Sequence, residues 1–210
     1  MKNLLTRALM IVALTGVTMA DQINLPTPSK EGGKPLMTAL SERKTSREFS
    51  DREIPLQMLS DMLWAAYGIN RPDGRLTSPT AINRQEIDLY LVMKNGAYFY
   101  NPKELKLAKI SEKGIRTTSG FGKFAEKAPL TIIFVVNKGR QQISDPTASL
   151  TLGAVDCGFI GQNLYLYCAS EGLNTVFFAT LNKEALSTAL KLEKGNEVFF
   201  GQSIGFPPEK

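Results

Sequence analysis

Arg43-Lys44-Thr45-Ser46-Arg47 places three cations and two hydroxyls in five consecutive residues. Guanidinium forks match phosphate oxygens and hydroxyls add neutral donors, so the cluster suits a phosphate group. Arg43 and Arg47 lie four apart at a helix end and converge on one side. A solvated basic run is the plain alternative. A second polar stretch is Pro79-Thr80-Ala81-Ile82-Asn83-Arg84-Gln85. Asn83 and Gln85 each offer a donor and an acceptor, which suits the edge of a flat heterocycle. A strand-entry turn would read the same. A third is Gly172 to Ala179, where Phe177 and Phe178 offer either a ring-packing surface or an ordinary core strand. Tyr90, Tyr98 and Tyr100 mark a hairpin that is either a lid or a surface feature.

What is missing narrows the chemistry. The 210 residues include no histidine. That excludes Ser-His-Asp and Cys-His catalysis, imidazole acid–base work and histidine-ligated metals. Two cysteines are too few for a four-thiolate zinc or iron–sulfur site, so no metal is expected. An enzyme built from this chain must rely on a cofactor or on carboxylates. The 25 Lys+Arg barely outnumber the 20 Asp+Glu, and no basic stripe with interleaved aromatics occurs, so no nucleic acid partner is expected.

These residues need elements to position them. Residues 1–20 carry Lys2 and Arg7, an apolar run from Ala8 to Val17, and Thr18-Met19-Ala20 before Asp21. That pattern predicts a signal peptide cut after Ala20 and a periplasmic or secreted protein, with a run too short for stable membrane insertion. Its removal takes the net charge from +5 to +3. Residues 21–35 read as an extended leader without core content. Residues 36–208 read as one domain. A short amphipathic helix starts at Leu36 and runs to about Lys44, and a second follows Pro55 and ends at Gly68. Glu86 to Met93 and Ala97 to Tyr100 form a hairpin with Asn95 and Gly96 at its centre, both at positive φ. Residues 103–128 read as a charged segment with weak helices. Leu130 to Val136 is a continuous apolar run and hence a buried strand. Thr147 to Ser170 is a long helix, apolar nearly all round and hence buried. A strand from Thr175 to Ala179, a helix capped by Asn182 and a last strand from Val198 to Ile204 follow. Without regular βαβ alternation, the fold class is α+β, with a mixed, mainly antiparallel central sheet flanked by helices. Cys157 and Cys168 lie about 16 Å apart along one helix, too far for a disulfide, and are expected as buried free thiols.

Taken in order, ERKTSREFS, SPTAINRQ, GAYFYNPKELKL, KAPLTIIFVV, AVDCGFIGQNLYLYCASEGLNTVFFA and SIGFPP resemble the nitroreductase superfamily of flavin mononucleotide (FMN) enzymes. The hairpin is most similar to the branch containing the azoline-forming peptide oxidases. The resemblance implies that Arg43, Lys44, Thr45 and Arg47 bind the FMN phosphate and ribityl chain. It implies that Pro79, Thr80, Ala81, Asn83 and Gln85 reach the flavin ring from the other subunit of a homodimer with shared active sites. Phe177 and Phe178 would line the flavin, the Ala179 backbone N–H would meet its N5, and Asp156 would face its edge. Four features depart from the family pattern. Ala81 lacks a hydroxyl, Glu86-Ile87 stands for Pro-Trp, and Thr180 stands for Gly. Lys210 stands alone where relatives continue to a Lys/Arg pair.

The activity implied is that of an exported FMN-dependent oxidoreductase. It would pass hydride or electrons, ping-pong, through flavin N5 from a small-molecule donor to a small nitro- or quinone-type acceptor. The flavin would carry the chemistry, with no catalytic side chain. Two alternatives stand beside it: a flavin-dependent oxidase or dehydrogenase of a small molecule or peptide, and a secreted binding module that kept the fold and lost FMN.

Overall fold

The computed structural model describes residues 22–112, 115 and 122–209. The signal peptide and its cut after Ala20, the middle of the 103–128 segment and Lys210 lie outside the described residues.

Seven strands form one sheet: β1 (Gln22–Asn24), β2 (Ile87–Met93), β3 (Gly96–Asn101), β4 (Lys106–Ser111), β5 (Leu130–Val136), β6 (Asn174–Phe178) and β7 (Glu197–Gly205). Their spatial order is β1-β4-β3-β2-β5-β7-β6, and every neighbouring pair is antiparallel. The helices are α1 (Leu36–Glu42), α2 (Leu56–Tyr67), α3 (Lys123–Lys127), α4 (Lys138–Gln141), α5 (Pro146–Glu171) and α6 (Lys183–Ala189).

The period of two along β5 explains why every residue of it is buried. Ile132, Phe134 and Val136 join the core under α2 and α5, while Ile133 and Val135 join a second core with Leu186 and Leu190 around α6. The sheet is therefore covered on both faces, and the continuous apolar run reads as a strand for that reason.

Helix α5 is framed by local chemistry. The Asp145 side chain accepts from the Ala148 N–H at 2.7 Å, Pro146 opens the first turn, and Gly172 closes the helix at φ 72°. Gly161 lets α5 lie close to the sheet. A Cβ there would stand 2.8 Å from Phe177 Cδ2. Cys157 and Cys168 are buried and free, and burial pushes both thiols upward, so neither offers a reactive thiolate. No helix among the described residues is long and apolar enough to cross a membrane.

Four local expectations need correction. Residues 21–35 are not a mere leader. Gln22–Asn24 pairs with β4, Leu25 is buried, and the N–H groups of Ser29 and Lys34 donate to Asp61 in the middle of α2 and to Ser170 at the end of α5. A three-residue edge strand carries no periodicity of its own, and its partner lies some 80 residues away. Within 103–128, Lys106–Ser111 is a strand, concealed because Lys106 and Lys109 break the apolar alternation on both faces and only Leu107 is fully buried. The hairpin turns at Lys94 and Asn95, neither at positive φ, because Met93 pairs with Gly96. Gly96 is required one position later, at φ 142°, where a Cβ would sit 2.5 Å from the Ser111 carbonyl. Finally, α5 is not buried all round. Val155, Gly158, Phe159 and Gln162 form an open stripe on one face.

Candidate functional site

Helix α1 ends at Glu42, and the Arg43 N–H donates back to the Ala39 carbonyl at 2.9 Å. From Arg43 the chain runs extended along the outer edge of β6, the last strand of the sheet. The Ser46 N–H donates to the Thr175 carbonyl at 2.9 Å, and Asn174 Nδ2 donates to the Glu48 carbonyl at 2.7 Å. Arg43 and Thr45 share a side because the chain is extended, rather than because a helix turns through them. Both meet Tyr165 of α5. The Arg43 guanidinium lies 5.2 Å from the ring centroid, and Thr45 Oγ1 is 2.9 Å from the phenol oxygen. Arg47 lies 5.9 Å from the Phe124 ring centroid. Lys44 lines a cleft of about 480 Å³ with Tyr165, Asn174 and Pro207. Among the described residues none of Arg43, Lys44 and Arg47 is in an ion pair, whereas the adjacent Glu42 is held by Lys34 at 2.6 Å. Arg43 beside the Thr45 hydroxyl, with Lys44 and Arg47 unpaired on the same segment, offers donors that suit a phosphate.

Strand β6 carries its two rings to opposite faces of the sheet. Phe177 packs on Phe134 (5.4 Å) and Phe200 (4.8 Å) under α5. Phe178 meets Phe124 edge-on at 5.3 Å on the other side. One flat ligand therefore cannot stack on both rings at once. Ala179 follows, exposed, and its N–H takes no partner among the described residues.

The 79–85 loop is a tightly held knob. Thr80 Oγ1 accepts the Gln85 N–H at 2.9 Å, and the Gln85 amide donates to the Gly74 carbonyl and to Asn83 Oδ1. Ile82, Asn83 and Gln85 all have positive φ. For a β-branched residue this is strain, and Ile82 is 81% exposed, so no burial of its side chain offsets it within the chain. Asp156 supports the loop from behind by accepting the Ala81 N–H at 3.2 Å. Its carboxyl is buried and turned to the loop.

Burial, then the neighbouring Glu86 carboxyl, pushes Asp156 up to about 7. Glu86 is fully buried and neither of its oxygens has a donor. A proton held on Asp156 removes the like-charge contact between the two buried carboxyls. The sign of the pH dependence follows. The folded chain keeps this proton between about pH 4 and 7 where the unfolded chain has lost it, so wild-type stability falls as pH rises through that window. Asp156→Asn keeps an acceptor for Ala81 and cannot ionise. The melting temperature of the variant minus that of the wild type should rise by on the order of 5 °C from pH 4.5 to 7.5, then level off. A flat difference would refute the assignment.

The expected site residues thus form two groups on one helix. Tyr165 anchors Arg43, Thr45 and the 177–179 end of β6, while Asp156 anchors Pro79 to Gln85. Nine helical residues separate the anchors by roughly 14 Å. Sequence reasoning missed Tyr165, Phe124 and Glu86. The only signal for Tyr165 was a tyrosine on an otherwise apolar helix.

A family model described as the nitroreductase family matches residues 40–206. A crystal structure from Ralstonia eutropha, named a "putative nitroreductase", is 36% identical, covers 100% of this chain and 97% of its own, and has a TM-score of 0.86. A curated Methanocaldococcus jannaschii protein, also named a "putative nitroreductase", is 25% identical over 186 residues, 84% of this chain and 93% of its own. The NADPH:FMN oxidoreductase of Vibrio harveyi, solved in complex with NAD+, shares the fold at 19% identity, with a TM-score of 0.60 over 83% of this chain and 69% of its own.

Proposed function

This chain belongs to the nitroreductase family, and from that premise we propose that it is an exported FMN-dependent oxidoreductase acting on a small nitro- or quinone-type acceptor. The observation that carries the reading is the run of unpaired cations pinned along the β6 edge, one strand-step from the open Ala179 N–H. Arg43, Lys44, Thr45 and Arg47 would hold the FMN phosphate and ribityl chain. The Ala179 N–H would donate to the ring edge. Phe177 backs this strand from the core and keeps its end rigid. Phe178 does the same from the opposite face, against Phe124. When bound, FMN would supply hydride and electron exchange at N5, chemistry that no side chain here provides.

The ring edge needs amide partners, and Pro79, Thr80, Ala81, Asn83 and Gln85 are held at the Asp156 end of α5, roughly 14 Å along the helix from the Tyr165 anchor of residues 43–47. A homodimer with shared sites resolves this, because the loop of one copy would serve the cations of the other. The open stripe Val155, Gly158 and Phe159, together with Ile82, supports such pairing. The 1–20 segment supports export.

Anaerobic titration of the mature protein tests the reading. NADH or NADPH is expected to bleach the bound flavin, and a nitroaromatic or quinone to restore its colour, with ping-pong kinetics. Bleaching by dithionite alone would overturn the nicotinamide donor and favour oxidation of another small molecule. A colourless protein that takes up no FMN would overturn the flavin reading and leave a binding module.

A further inference from the structure

Tyr165 makes contacts that neither packing nor helix formation requires. Its phenol oxygen accepts the Phe177 N–H at 3.0 Å and lies 2.9 Å from Thr45 Oγ1. Its ring carries the Arg43 guanidinium. One side chain of α5 therefore ties the edge of β6 to the cationic segment.

The direction of the hydrogen bonds matters. Along the outer edge of β6, Ser46 occupies the Thr175 carbonyl and Tyr165 occupies the Phe177 N–H. By the same alternation the next donor on that edge is the Ala179 N–H. A phenol oxygen has one proton to give. Accepting from Phe177 N–H polarises that O–H and favours its donation to Thr45 Oγ1. With its oxygen engaged this way, the Thr45 hydroxyl proton points away from Tyr165. It lies then on the exposed side, where Thr45 shares Tyr165 with Arg43, and it is an oriented donor to an anionic oxygen.

We propose that Tyr165 is a positioning residue: it orients the Thr45 hydroxyl and the Arg43 guanidinium together toward the phosphate of the cofactor. This rests on the flavin reading above. It extends that reading by assigning discrimination between phosphorylated and unphosphorylated flavin to a residue that need not touch either one.

Tyr165→Phe keeps the ring beneath Arg43 and removes only the hydroxyl. Titration of the flavin-stripped mature protein, followed by quenching of flavin fluorescence, is expected to show FMN bound about tenfold more weakly by the variant. Riboflavin, which lacks the phosphate, should change by less than about twofold on the same scale. Thr45→Val should weaken FMN to a similar extent, and the double variant should bind no more weakly than Thr45→Val alone, because the two groups act as one unit. Riboflavin binding by the same Tyr165→Phe sample reports its folding, so a loss confined to FMN is read apart from misfolding. Equal losses for FMN and riboflavin, additive losses in the double variant, or no loss at all would overturn the role while leaving flavin binding intact. A wild-type protein that binds neither flavin would overturn the flavin reading and this role with it.

Discussion

Arg43→Ala combined with Arg47→Ala is expected to give a folded protein that is purified without its yellow cofactor. Each guanidinium–phosphate contact is a charge-assisted hydrogen bond worth about 1.5–3 kcal/mol net. Losing two should weaken FMN binding by about 10² to 10⁴-fold. The fold should barely respond. Neither arginine is in an ion pair, and their contacts with the Tyr165 and Phe124 rings are worth about 0.5–1 kcal/mol each near the surface. The measurement is flavin occupancy by absorbance, set beside the melting temperature of the flavin-free protein. Wild-type occupancy in the double variant would remove the phosphate assignment. An equal fall in occupancy and stability would mean that the segment matters only for holding the β6 edge.

Phe159→Glu is expected to separate the two subunits. Phe159 lies on the open face of α5, 44% exposed in the single chain, four residues after Val155. In a two-fold interface the substitution occurs twice. It removes two buried rings, worth about 1.5–3 kcal/mol each, and sets two carboxylates near the same axis. The dimer should weaken by at least about 10²-fold, and sedimentation would report a monomer at micromolar concentration. Because Phe159 is no part of either core, the monomer should stay folded. It should also lose FMN, since the 79–85 loop of one copy would no longer meet the cations of the other. A variant that remains dimeric, or a monomer that retains flavin, would refute the shared site.

Much of the fold was legible. The Pro55 helix start and the Gly68 stop rest on contacts within a few residues, and the apolar run 130–136 is the buried strand its composition demands. The elements that escaped notice were β1 and β4, which bury little and gain their pairing from each other. The turn residues were shifted by one because Asn95-Gly96 is a turn signal, while the actual demand on Gly96 comes from Ser111 across the sheet. The cationic cluster and the 79–85 loop could be named from composition. Their supports could not. A carboxylate at 156 looks like a ligand-facing group until its burial beside Glu86 is known.

Residue types, caps and periodicity were enough to indicate an α+β domain with a mixed, mainly antiparallel sheet, a chemistry without histidine, and a phosphate-suited run at 43–47, because these depend on neighbours along the chain. Only the tertiary structure decided that Phe177 and Phe178 part company, that Asp156 braces a loop, and that the two halves of the site stand apart on α5. Those outcomes depend on which distant strand and helix come to lie against each residue, and no local pattern encodes that approach.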